Sequence, residues 1–132
     1  MSLKLIGIVL VSVIGFAQAP PPAPDPGNLW RMIRSALITP TGDRYFQQIK
    51  DAQIPPEHRR FSGNVVSQTS PNELIVKVDN PVGDAILRLP IAVKRPVAVD
   101  APVHFEGVVR AYSSNPYRLT IEVLPEDIEG LY

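Results

Sequence analysis

Pro102-Val103-His104-Phe105-Glu106-Gly107-Val108-Val109-Arg110 runs through Ala111-Tyr112-Ser113-Ser114-Asn115-Pro116-Tyr117-Arg118 into Leu119-Thr120-Ile121-Glu122-Val123. Val103, Phe105, Gly107 and Val109 fall on one side of a two-residue period. His104, Glu106, Val108 and Arg110 fall on the other. Leu119, Ile121 and Val123 repeat the pattern against Thr120 and Glu122. That alternation predicts two strands, each with one apolar face. Ser113-Ser114-Asn115-Pro116 supplies the turn between them.

The same period extends upstream. Phe61, Gly63 and Val65 alternate with Ser62, Asn64 and Val66. Leu74, Val76 and Val78 alternate with Glu73, Ile75, Lys77 and Asp79. Ala85, Leu87 and Leu89 alternate with Ile86 and Arg88. Turns are expected at Ser70-Pro71-Asn72 and at Asn80-Pro81-Val82-Gly83. Five strands result. Gly63 and Gly107 sit inside the first and fourth, where a strand glycine marks a bulge or sharp bend. Such kinks predict a small closed or nearly closed barrel, which leaves no exposed edge.

Before the strands the period is helical. Trp30, Ile33 and Leu37 recur at helix spacing over residues 28–38, with Asn28 as the expected N-cap. A second helix is expected over residues 43–52, with Asp43 near its positive end and Tyr45, Phe46 and Ile49 on its apolar side. Ile54-Pro55-Pro56 stops it. Both apolar stripes are expected to pack on the core.

The start of the chain reads as an export signal. Lys4 precedes an apolar run from Leu5 to Phe16, and Ala17-Gln18-Ala19 follows. Proline after Ala19 makes a poor protease substrate, so cleavage is expected after Ala17. The run is 12 residues long, short of the ~20 that cross a bilayer as a helix. Pro20, Pro21, Pro22, Pro24 and Pro26 then form an extended spacer. The expected organisation is a signal peptide over residues 1–17, a proline-rich spacer over 18–27, a helical segment over 28–56 and a β domain over 57–132. The chain has 13 basic and 13 acidic residues, and losing Lys4 leaves a net charge of −1. It has no cysteine, so disulfides and a lipid anchor on cysteine are both excluded. The expectation is a soluble protein of the periplasm or the cell exterior, not a lipoprotein and without a stable membrane span.

The segment Val103-His104-Phe105-Glu106-Gly107, with Tyr112-Ser113-Ser114-Asn115-Pro116-Tyr117 after it, resembles the C-terminal β domain of exported acidobacterial tetratricopeptide-repeat proteins. In that family a V-x-F-E-G strand leads through a Y-x-x-N-P-F/Y turn into an apolar strand. Phe61-Ser62-Gly63-Asn64-Val65-Val66-Ser67 is similar to the family's first strand, and residues 43–52 to the helix before it. The likeness covers roughly residues 30–130. The repeats themselves are missing, for no 34-residue period exists. The resemblance implies a five-stranded OB-like barrel and no catalytic residues. The expected fold class is therefore mainly β with a small α part: two short helices, then the barrel. Standard OB-folds close one barrel end with a helix between strands three and four. Residues 90–102 hold three prolines and no helical pattern, so the N-terminal helices are expected to do the plugging.

No chemistry announces itself. His58 and His104 lack a metal-ligand spacing and read as surface residues. There is no G-x-S-x-G elbow and no phosphate-cradling glycine loop. Glu126, Asp127 and Glu129 read as a solvated turn. Glu106 and Glu122, with Arg88, Arg110 and Lys77, read as cross-strand pairs on the outer face. Balanced charge argues against nucleic acid. The expected function is an exported, non-enzymatic binding module for an envelope protein or a glycan, with no cofactor and no metal. The candidate contact residues are Tyr112, Asn115, Tyr117, Arg88 and Arg110, with the two tyrosines stiffening the hairpin against Pro116. The alternatives are a ligand-free remnant of a larger repeat protein and a small enzyme whose site is dispersed in sequence.

Overall fold

The computed structural model describes residues 24–132. The expected signal peptide and cleavage site, with most of the spacer, lie outside the described residues.

Helix α1 spans Pro26–Leu37. It begins inside the proline-rich stretch because Asp25, not Asn28, is its N-cap. The Asp25 carboxylate accepts from the Asn28 N–H at 2.8 Å, and Pro26 occupies the position where a missing N–H costs nothing. Trp30, Ile33 and Leu37 are buried on one face. Helix α2 spans Gly42–Ile49, shorter than expected, and packs on α1. Among the described residues no helix is long and apolar enough to cross a membrane.

The rest is mainly β. Among the described residues the sheet has eight strands rather than five: β1 (Gln53–Ile54), β2 (Phe61–Ser70), β3 (Glu73–Lys77), β4 (Ala85–Arg88), β5 (Pro102–Phe105), β6 (Gly107–Ser114), β7 (Tyr117–Glu122) and β8 (Ile128–Glu129). Their order is β1-β6-β7-β4-β3-β2-β5-β8. Every pairing is antiparallel except β4 with β7. Two of the extra strands, β1 and β8, are two-residue edge pieces. The third arises because the expected fourth strand is divided at Glu106. β5 pairs with β2, whereas β6 pairs with β7.

Gly107 permits this change of partner. A Cβ there would lie 2.3 Å from the Glu122 carbonyl oxygen and 2.7 Å from Ile121 Cγ2. β6 can approach β7 this closely only because the side chain is missing.

The sheet curls around Phe61, Val65, Leu74, Val76, Leu87, Val103, Phe105, Leu119 and Ile121, all buried. α1 completes this core. Trp30 is fully buried and meets Phe61 edge to face at a centroid distance of 5.0 Å. Its indole N–H donates to the carboxylate of buried Asp84 at 2.8 Å. The Val78 and Asp79 amides donate to the same carboxylate at 2.8 and 3.1 Å. Asp84 thus ties the helix to the β3–β4 connection, and three donors offset the cost of burying its charge. Phe46 stays at the rim, half-buried against Tyr112 with ring centroids 4.9 Å apart.

Candidate functional site

The five hairpin-centred residues do not form one surface. Tyr117 is buried among core residues. Burial, then the Asp84 charge, pushes its phenol far above the usual tyrosine range. Tyr112 is half-buried, and its ring packs against Phe46. Its hydroxyl donates to Asp43, which raises the phenol's pKa. Arg110 is held by Glu122 at 2.9 Å and Asp51 at 2.6 Å. Only Asn115 and Arg88 present open side chains, and they lie at opposite ends of β7. Asn115 lies two residues before its start, while Arg88 pairs in register with Glu122 at its last residue.

Glu106 also departs from expectation. It is 2 % exposed, not on the outer face. It sits at the division between β5 and β6, where the backbone turns its side chain inward. Its carboxylate accepts from His58 Nδ1 at 2.8 Å, Gln53 Nε2 at 3.1 Å and Arg60 Nε at 3.2 Å. Arg60 reaches on to Glu129 at 3.0 Å and to the Glu126 carbonyl at 2.8 Å. His58 and Glu57 both adopt left-handed backbone, with φ of 58° and 63°, a strained conformation for such residues. The network is a structural clamp with each Glu106 oxygen satisfied, its His58 side facing solvent.

Burial alone would raise the Glu106 pKa. The hydrogen bonds and charges of His58 and Arg60 outweigh it and hold the carboxyl below its usual range. A depressed carboxylate adds stability above its unfolded pKa of about 4.3 and loses it as pH falls through the folded value. Asp127 acts in the opposite sense, raised by burial and by the charges of Glu106 and Glu126. Glu106→Gln should therefore cost about 1–3 kcal/mol at neutral pH and flatten the acid limb of the stability curve. Urea unfolding at a series of pH values measures both. An unchanged acid limb would remove Glu106 from this role.

A different surface gathers open polar groups. A groove of about 420 Å³ is lined by Ser62, Gly63, Asn64, Lys77, Val78, Asp79, Asn80, Pro81, Pro102 and His104. β2, β3 and β5 supply outward-facing side chains, and the 80–83 turn forms one wall. Ser62 pairs in register with His104, and Ser62 Oγ and His104 Nδ1 share a hydrogen bond of 2.8 Å. Register alone explains that contact, because directly opposed side chains on antiparallel strands lie side by side. Asn64 donates to the Asp100 carbonyl at 3.1 Å. Lys77 pairs with Asp100 at 3.2 Å, and Asp79 with Arg31 at 3.5 Å. The groove's charges are thus balanced locally, leaving uncharged hydrogen-bonding groups to face a ligand.

Sequence reading placed His104 on the surface but did not join it to Ser62, Asn64 and Asn80. These residues are up to 42 positions apart, and only strand pairing brings them together. No group of three or more candidate metal ligands occurs among the described residues. Compared with protein-family models, with curated proteins and with solved structures, the chain matched none.

Proposed function

We propose that this chain is an exported, non-enzymatic binding module with an OB-like barrel, and that the Ser62–His104 groove holds a neutral glycan of the envelope. The barrel reading rests on the chain path. Residues 102–114 form β5 and β6 with only Glu106 between them. Taken as one bent strand, they join the β2 end of the sheet to the β7 end. Five long segments then close on themselves, with the third and fifth parallel. This path supports the OB-like barrel that the resemblance to the acidobacterial β domain implies, and buried Trp30, Ile33 and Leu37 support α1 as its plug.

The lining of the groove carries the ligand assignment. Ser62, Asn64, Asn80 and His104 offer donors and acceptors without net charge. Lys77 and Asp79 are already paired, so the groove favours neither a polyanion nor a cation. Pro81, Pro102 and Gly63 add flat apolar surface on which the C–H face of a sugar ring can rest. The volume is within the range of about 300–1,000 Å³ usual for small-ligand sites.

Calorimetry with chitooligosaccharides and maltooligosaccharides tests this. At least one class should bind. Asn80→Ala and His104→Ala should each weaken it about tenfold, the effect of one hydrogen bond of ~1.4 kcal/mol. Arg88→Ala and Asn115→Ala should leave it unchanged. No binding of either class, or equal binding by all four variants, would overturn the assignment.

A further inference from the structure

A second cleft, of about 310 Å³, lies toward the other end of β2, where Gln68, Ser70 and Pro71 face Val93, Lys94, Arg95 and Pro96 of the loop between β4 and β5. Its lining contains two cations and no acid. Neither Lys94 nor Arg95 has an ion-pair or hydrogen-bond partner among the described residues. Arg31, Arg60, Lys77 and Arg110, by contrast, have acidic partners.

The backbone that carries the cations is anchored on both sides. Val93 is buried, and its N–H donates to the Pro71 carbonyl at 2.9 Å. The Val97 N–H donates to Gln68 Oε1 at 3.0 Å. Only Lys94, Arg95 and Pro96 lie between those two anchors, and the fixed φ of proline stiffens the span further. Gln68, accepting through its oxygen, has its amide NH₂ left to donate. Ser70 Oγ accepts from the Asn72 N–H at 3.1 Å, which leaves its proton free as well. Four residues with donors to spare therefore line one cleft, from a strand and an anchored loop, two of them charged.

We propose that this cleft is an anion-binding site for a phosphate or phosphate-like group. Arg95 supplies the planar fork that matches two phosphate oxygens, Lys94 a point charge, and Gln68 and Ser70 neutral donors. The site uses none of the residues of the Ser62–His104 groove and does not depend on the glycan reading. The phosphate can belong to a lipid headgroup or to a soluble molecule.

The test titrates inorganic phosphate into the purified protein at constant ionic strength, with chloride as the reference, and follows backbone amides by NMR. Saturable shifts are expected at Gln68, Ser70 and residues 93–97. Removing two charge-assisted contacts in Lys94→Gln/Arg95→Gln should weaken binding roughly tenfold or more, while Lys94→Arg retains it. Both side chains are exposed, so an unchanged melting temperature is expected and separates lost binding from lost fold. Sedimentation with phosphatidylglycerol vesicles, against phosphatidylcholine, identifies the source. Capture that the double variant loses assigns a headgroup, and phosphate binding without capture assigns a soluble ligand. Shifts that match chloride, fail to saturate or persist in the double variant would overturn the proposal.

Discussion

Trp30→Ala should destabilise the fold by about 4 kcal/mol or more. Truncating a fully buried aromatic costs about 3–5 kcal/mol through lost contacts and the cavity left behind. Here the ring also contacts Phe61, and its N–H is one of three donors to Asp84. The variant loses both effects at once. Its α1 would keep Ile33 and Leu37 as core anchors but not the link to the β3–β4 connection. Against a typical total of about 5–15 kcal/mol, that is a large fraction of the stability. Urea unfolding followed by circular dichroism measures it, and Trp30→Phe separates the two contributions. Phenylalanine keeps an aromatic ring in the core but removes the N–H and part of the ring volume, so it should cost about 1–3 kcal/mol. Equal losses in the two variants would show that the Asp84 link, not the ring, holds the helix.

Gly107→Ala should cost about 3 kcal/mol, at the upper end for overpacking a well-filled interior. Its new methyl would lie 2.3 Å from a backbone oxygen of β7 and 3.0 Å from Val123 Cγ2. Backbone on an adjacent strand cannot yield as a flexible side chain can. The expected relief is separation of β6 from β7 near Glu122, which also loosens the Arg110–Glu122 pair. Gly27→Ala is the matched control. Its Cβ would meet nothing closer than 3.4 Å, and alanine is the better helix former. The two substitutions add the same methyl and should shift the unfolding midpoint in opposite directions.

The strands were legible in the sequence because a curled sheet with one buried face imposes a two-residue period. Phe61, Val65, Leu74, Val76, Leu87, Val103 and Phe105 all lie on the expected inner side. What escaped was the division at Glu106. Phe105, Glu106 and Gly107 are buried in succession, and no alternation rule places an acid there. Its partners His58 and Arg60 come from the segment before β2, a contact that only the folded chain makes. β1 and β8 escaped because two residues cannot display a period. Helix α1 was visible from its apolar stripe, but the Asp84 carboxylate that secures it is polar and lies 54 residues from Trp30.

The candidate site was less legible than the fold. Tyr117 shares the inward parity of Leu119, Ile121 and Val123, so the sequence already contained the signal that buries it. Its place beside a turn suggested a surface residue instead. The groove residues gave the opposite problem. Ser62, Asn64 and His104 were correctly outward in the alternation, but their convergence depends on the antiparallel register of β2 with β5. A set of ordinary polar side chains becomes a site only through that register.

NMR shift mapping with the binding oligosaccharide tests the central claim most directly. Saturable perturbations are expected at Ser62, Gly63, Asn64, Asn80 and His104, with Tyr112 and Asn115 unmoved. Perturbations centred on the Tyr112–Tyr117 hairpin, or no saturable perturbation in the groove, would contradict it.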